Sequence, residues 1–235
     1  KQNNTKIIPT ERDEYIIKAI TVKDFDTSEY LLFVTKNGMV KKTELVHYKA
    51  QRYSKPLVAV NLKGNDESLS VTLTDGSKDV FLTTKLGYGL WFNEEEVNVV
   101  GVRAAGVKGI NLKEDDEVVN GVVIQGEKEE VIVIATHRGA VKKMKIKEFE
   151  KMSRAKRGLV MLRELKKDPH RIVGMTVCKN NEGIQLLTNA MRVETIEVEN
   201  LSYSDRYSNG SFVIDIAETG VVEKLWKANI QANVE

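Results

Sequence analysis

Four stretches of the chain can be laid over one another, each a β-branched apolar run that turns at a fixed place and resumes. They occupy residues 31–42, 80–91, 132–143 and 185–195, with Gly38, Gly87 and Gly139 at the turns and Met191 in the fourth. The turn positions lie 49, 52 and 52 residues apart. A unit of that length cannot bury its own apolar face, so it must stack on copies of itself. Two unrelated β-sandwiches would not produce the spacing.

The content of each repeat sets the fold class. Asn37-Gly38 predicts a type I′ hairpin, in which both turn residues take positive φ. Further along each repeat come a loop of basic and small residues and a second apolar stretch (57–62, 107–112 and 159–162). A polar turn and a last strand (118–124 and 172–178) follow. A helical turn fits only between hairpin and loop, as at 145–152. The reading is an all-β, bladed, propeller-like fold of four-stranded repeats. It forms a single domain, 1–235, with successive repeats at 30–79, 80–130, 131–183 and 184–235. Residues 1–29 read as the tail of an earlier repeat, with one strand at 15–22. Bladed folds close by pairing strands from both chain ends, so the chain is expected to be a fragment.

No apolar stretch is long enough to span a bilayer, and the N-terminus carries no signal-peptide pattern. The one cysteine, Cys178, sits in the apolar run 173–178 and is expected to be a buried thiol. With no disulfide framework possible, the cytoplasm is the expected compartment.

A formal net charge of +2 conceals a strong pattern. Residues 131–183 hold fourteen Lys and Arg against five Asp and Glu, and 30–79 hold eight against five. The intervening repeat, 80–130, holds five against ten, and the last, 184–235, four against eight. The two slots after each turn follow suit: Lys41 and Lys42, Leu90 and Trp91, Lys142 and Lys143, Glu194 and Thr195. In the later loop stand Lys49, Arg52 and Lys55, then Arg103 and Lys108, then Lys151, Arg154, Lys156 and Arg157, then Arg206. Equivalent places on a bladed rim would align these cations into a curved stripe for a polyanion. The expected DNA-binding set is Lys41, Lys42, Lys49, Arg52, Lys55, Lys142, Lys143, Lys145, Lys151, Arg154, Lys156 and Arg157. Aromatic residues make up only 6% and several (Phe33, Phe81, Phe149) fall inside strand patterns. Stacking platforms for single strands are therefore scarce, and double-stranded DNA is the expected partner.

No catalytic constellation is visible. His47, His137 and His170 have no metal-ligand neighbours at useful spacing, so no metal is expected. The glycines at 87–89 and 106–109 open no helix in a βαβ context. The acidic run 114–117 lacks calcium-loop spacing and reads as a polar turn.

Two motifs carry a resemblance. Tyr30-Leu-Leu-Phe-Val-Thr-Lys-Asn-Gly-Met-Val-Lys-Lys-Thr43 resembles the hairpin-opening motif of the C-terminal β-pinwheel domains of DNA gyrase and topoisomerase IV A subunits. Gly106-Val-Lys-Gly-Ile-Asn-Leu-Lys-Glu-Asp-Asp-Glu117 resembles that family's loop and polar turn. Gyrase carries a Gln-Arg-Arg-Gly-Gly-Lys-Gly box, of which Gln51-Arg-Tyr-Ser-Lys-Pro56 has lost the glycines. Residues 153–159, 162–166 and 208–212 are similar to topoisomerase IV A subunits of Gram-positive type. The resemblance implies a non-catalytic domain that binds and bends the transported DNA segment for decatenation and relaxation. The family's cleavage tyrosine, ATP and Mg2+ would lie in other domains or subunits, so no cofactor is expected in this chain. Its protein partners would be the catalytic part of the A subunit, with the B subunit of an A2B2 enzyme reached through it. A gyrase wrapping domain and a bladed protein-interaction scaffold with acidic docking repeats are the alternatives.

Overall fold

In a computed structural model of the protein, residues 10–50 and 56–228 are described. The repeats become antiparallel blades arranged in chain order. In the first, β1 (Tyr30–Thr35) and β2 (Met39–Glu44) form the hairpin and β3 (Ser68–Thr74) pairs with β1 on its other side. The second uses β4 (Asp79–Thr84) and β5 (Tyr88–Asn93), and β7 (Val118–Ile124) after the two-residue β6 (Val107–Lys108). The third uses β8 (Glu130–Thr136) and β9 (Ala140–Lys145), and β11 (Ile172–Lys179) after β10 (Leu159–Val160). The fourth uses β12 (Gly183–Thr188), β13 (Val193–Glu197) and β15 (Val222–Lys227), with β14 (Ser211–Phe212) between. A short helix, α1 (Ile216–Thr219), precedes β15.

Strand order shows how the repeats share strands between blades. The sheets read β3-β1-β2-β6, β10-β5-β4-β7, β11-β8-β9-β14 and β13-β12-β15. The short strands β6, β10 and β14 each leave their own repeat and pair with the outer hairpin strand of the repeat before. Residues 57–62 form no strand, and Leu57 and Val58 are exposed, because no preceding hairpin stands among the described residues to receive them. The strand expected at 15–22 is likewise absent, and Tyr15, Ile16 and Ile17 face solvent. An extended apolar run becomes a strand only where another strand can take its amides and carbonyls.

Strand alternation explains the core. Successive residues of a strand point to opposite faces, and both faces of each inner blade meet a neighbour. Val80 and Leu82 of β4 therefore join Leu32, Val34 and Val40 in one apolar cluster, while Phe81 joins Ile132, Ile134 and Met144 in the next. Val131, Val133 and Ala135 of β8 turn the other way, onto Ile184 and Leu186. The uninterrupted apolar runs of the sequence follow from this double coverage. Innermost lie β3, β7, β11 and β15, each in contact with the next. Cys178, at the end of β11, is buried, and burial pushes its thiol up to about 11.

The hairpins turn differently from the expected type I′. The Gly38 amide donates to the Thr35 carbonyl at 3.0 Å, and of residues 35–38 only Gly38 has positive φ, +82°. This is a type I turn closed by a left-handed residue, a form that needs one glycine where type I′ needs two permissive positions. Met191 holds the same left-handed place at φ +59°, which confirms its alignment with the three glycines. The polar turns expected after the loops reach back to these hairpins. Asp66 accepts from the Asn37 amide at 2.8 Å and Asp116 from the Leu86 amide at 2.9 Å.

Candidate nucleic-acid interface

The exchange of short strands relocates the basic loops. Residues 151–160 belong to the most basic repeat but lie on the acidic one before it. Met152 donates to the Trp91 carbonyl at 2.8 Å, Ala155 to Gly109 at 2.9 Å, and Asn111 to Lys156 at 2.9 Å. Where this loop meets β5, Gly158 takes φ +86°, and a Cβ there would stand 2.3 Å from the Gly89 carbonyl oxygen. Only glycine allows that approach. The charge alternation along the chain is thus partly evened out in space.

The loop cations divide between anchoring and exposure. Arg154 donates from its backbone amide to the Glu96 carboxylate (3.1 and 3.2 Å) and from Nε to the Glu96 carbonyl (3.0 Å). Its guanidinium also reaches the Lys108 carbonyl. Lys151 pairs with Asp79 at 3.0 Å and lies 5.3 Å from the Trp91 ring centroid. Lys156 and Arg157 are exposed, Arg157 grazing the Asn111 carbonyl at 3.5 Å. Lys145 is exposed and sits 4.5 Å from the ring centre of Tyr203. Lys49 is exposed and ion-paired with Asp26, whereas Arg52 and Lys55 lie outside the described residues.

The paired lysines after the hairpins are not on the surface, which corrects their assignment to the stripe. Lys41, Lys42, Lys142 and Lys143 are 1%, 4%, 1% and 2% exposed. Both faces of β2 and β9 are covered, so consecutive side chains are both enclosed. The Lys41 ammonium donates to the carbonyls of Ala59 (2.8 Å) and Val102. The Lys142 ammonium donates to Met161 (2.7 Å), Arg206 (2.8 Å) and Ser208 (2.6 Å). Lys42 meets the Glu94 carbonyl at 2.8 Å, and Lys143 the Val198 carbonyl at 3.0 Å and Asn180 Oδ1 at 2.8 Å. Loss of hydration lowers all four pKa values, for Lys142 to about 8, while Glu94 partly offsets the shift at Lys42. A side chain sequestered in this way has no access to a phosphate.

Two further cations escape a reading of equivalent slots alone. Lys128 and Lys147 join Lys145 and Tyr203 in lining a cleft between the third and fourth blades. The signal is present, since Lys143, Lys145 and Lys147 alternate along one strand and its continuation, but the cleft needs the fold. Two of the histidines hold local structure, Nδ1 of His170 bonding the Thr136 hydroxyl at 2.9 Å and His137 accepting from the Arg171 amide at 3.2 Å, while His47 is exposed beside Glu44. Among the described residues no group of His, Cys, Asp and Glu is placed to hold a metal ion. No helix there is long and apolar enough to cross a membrane.

These loop-exchanged blades are those of a known family. The DNA gyrase C-terminal domain, beta-propeller, matches residues 29–75, 78–125 and 130–179, and the chain belongs to that family. Within it the likeness is to topoisomerase IV. The chain is 56% identical over 230 residues to the A subunit of DNA topoisomerase 4 from Bacillus subtilis (strain 168), covering 98% of this chain and 28% of that protein. The crystal structure of a C-terminal domain of DNA topoisomerase IV superposes with TM-score 0.93 at 59% identity, over 97% of this chain and 70% of that one. A DNA gyrase A C-terminal domain shares the fold, with TM-score 0.83 at 20% identity over 96% of this chain and 74% of that one.

Proposed function

We propose that the chain binds double-stranded DNA through its outer loops and bends it, as the C-terminal domain of a topoisomerase IV A subunit. The observation that carries this reading is the loop 151–158. Its backbone is pinned to the blade beneath, yet Lys151, Lys156 and Arg157 remain exposed. Cations on a fixed backbone neutralise phosphates with little ordering cost and without reading bases. Lys145 and Lys147 carry further exposed cations toward the fourth blade, in a cleft they line with Lys128, Glu129 and Glu130, and the outer strand β13 of that blade is acidic, with Glu194 and Glu197. A patchy rim holds DNA at intervals, which favours a bent path over a continuous wrap.

In this reading the domain presents a DNA segment to the catalytic part of a cytoplasmic A2B2 enzyme, which carries out decatenation and relaxation. Strand cleavage and ATP use lie outside this chain. The 56% identity to a topoisomerase IV protein favours this over a gyrase wrapping domain, with which the structural likeness is one of fold. A mobility-shift titration at several salt concentrations tests it. With about six phosphates engaged, affinity falls roughly a thousandfold between 50 and 200 mM salt. No shift at low salt sinks the DNA reading and favours the protein-interaction scaffold.

A further inference from the structure

The buried lysines occupy an unusual position in the fold. Lys41 and Lys142 carry their ammonium groups into the interior, yet the second blade forms with Leu90 in the same slot, fully buried and joined to the apolar cluster. The blade therefore does not need a cation there to fold. The lysines connect something else.

Lys41 bonds Ala59, in the loop of its own repeat, and Val102, in the loop of the next. Lys142 repeats the pattern, with Met161 in its own loop and Arg206 and Ser208 in the next. Val102 immediately precedes the loop cation Arg103, and Arg206 is itself one. At the second blade, where leucine provides no donor, the incoming loop is held by Arg154 on Glu96 and Lys108 instead. An ammonium has three donors and suits convergent carbonyls from separate segments, which a methyl group cannot replace.

We propose that Lys41 and Lys142 are positioning residues for the DNA-binding rim: each ties two successive loops together and so fixes the angle at which neighbouring blades present their cations. The proposal rests on the DNA reading for its consequence, but the tie itself can be measured without DNA. Elements packed around Lys142 bring Asp205, Arg206 and Glu148 to face it, and its ammonium bonds backbone carbonyls rather than either carboxylate.

The test uses the full A-subunit chain with Lys142→Met, Lys142→Arg and, as an exposed reference, Lys156→Ala. Hydrogen exchange without DNA should show faster exchange of amides 203–210 in Lys142→Met, at least tenfold, with partial rescue in Lys142→Arg. Unchanged protection overturns the tie. With a duplex labelled at both ends, Lys142→Met should reduce the bend read by energy transfer while leaving the salt slope of binding intact. Lys156→Ala should lower that slope by about one. A slope lowered equally by Lys142→Met shows that the ammonium touches phosphate and overturns the proposal, as does an unchanged bend. Absence of DNA binding in the wild type defeats the DNA reading alone, and the exchange result still decides the tie. If Lys142→Met does not fold, Lys41→Met with exchange of amides 99–104 decides it.

Discussion

Residues 142–143 and 151–157 are two cationic clusters of the same repeat, separated by a single short turn, and the fold treats them oppositely. The first pair is enclosed, its charges engaged by backbone carbonyls. The second rides on a loop that leaves its repeat to cover the neighbouring blade, with its outward side chains in solvent. Composition does not distinguish them. What does is coverage: β9 is covered on both faces, while loop 151–158 is the cover. Buried cations of this fold thus join blades while others of the same repeat face solvent, coverage deciding which, and on the proposed reading it is the exposed set that meets a polyanion.

The comparison breaks most sharply in stability. Lys143→Ala leaves the Val198 carbonyl and Asn180 Oδ1 without their donor and opens a cavity beside Tyr203. It should cost about 3 kcal/mol, read as a shift of the denaturant midpoint. Lys156→Ala should stay within about 0.5 kcal/mol. Equal losses would mean that the two clusters share a role after all.

In DNA binding the order reverses. Replacing Lys151, Lys156 and Arg157 together by Ala should weaken binding by about 2 kcal/mol, roughly thirtyfold, and lower the salt slope by about 2.7. Stability should hardly move. A titration in which Lys143→Ala reproduces that change in slope would return the buried pair to the rim.

How much of the molecule is legible in its sequence follows from what each signal encodes. The period, the paired hairpin strands and the last strands 118–124 and 172–178 come from local patterns and form as read, whereas the turn type of the hairpins differs from the type I′ that Asn37-Gly38 predicts. The exchange of β6, β10 and β14 is not legible, because a two-residue strand has no periodicity and its partner lies in another repeat. The burial of Lys41, Lys42, Lys142 and Lys143 is hidden for the same reason. Strand lysines read as solvated until both faces are known to be covered, and that coverage comes from elements distant in sequence. The exposure of Lys156 and Arg157 is legible because no described element covers their side chains.

The fourth blade supplies a smaller test of coverage. Thr195 stands in the slot of Lys143, but no exchanged strand pairs with the outer edge of β13 among the described residues, and Thr195 is exposed. Thr195→Lys should therefore behave as a surface change, within about 0.5 kcal/mol in stability, and raise DNA affinity about threefold. A large change in folding stability would show that the slot itself, and not its cover, dictates burial.

The smallest effect probes the seam between the two uses of charge. Glu96 accepts from the Arg154 amide with both oxygens, so its carboxylate holds the basic loop down while placing a negative charge beneath the rim. Glu96→Gln keeps one acceptor oxygen and removes the charge. If the loop is held mainly by its backbone bonds to Trp91 and Gly109, affinity for duplex DNA should rise about twofold with the salt slope unchanged, since no cation is added or lost. If affinity falls instead, the Glu96 charge is what positions the loop. The exposed cluster would then depend on a tie of its own, as the loop 203–210 depends on Lys142, and the boundary between joining and contacting charges would run through Arg154.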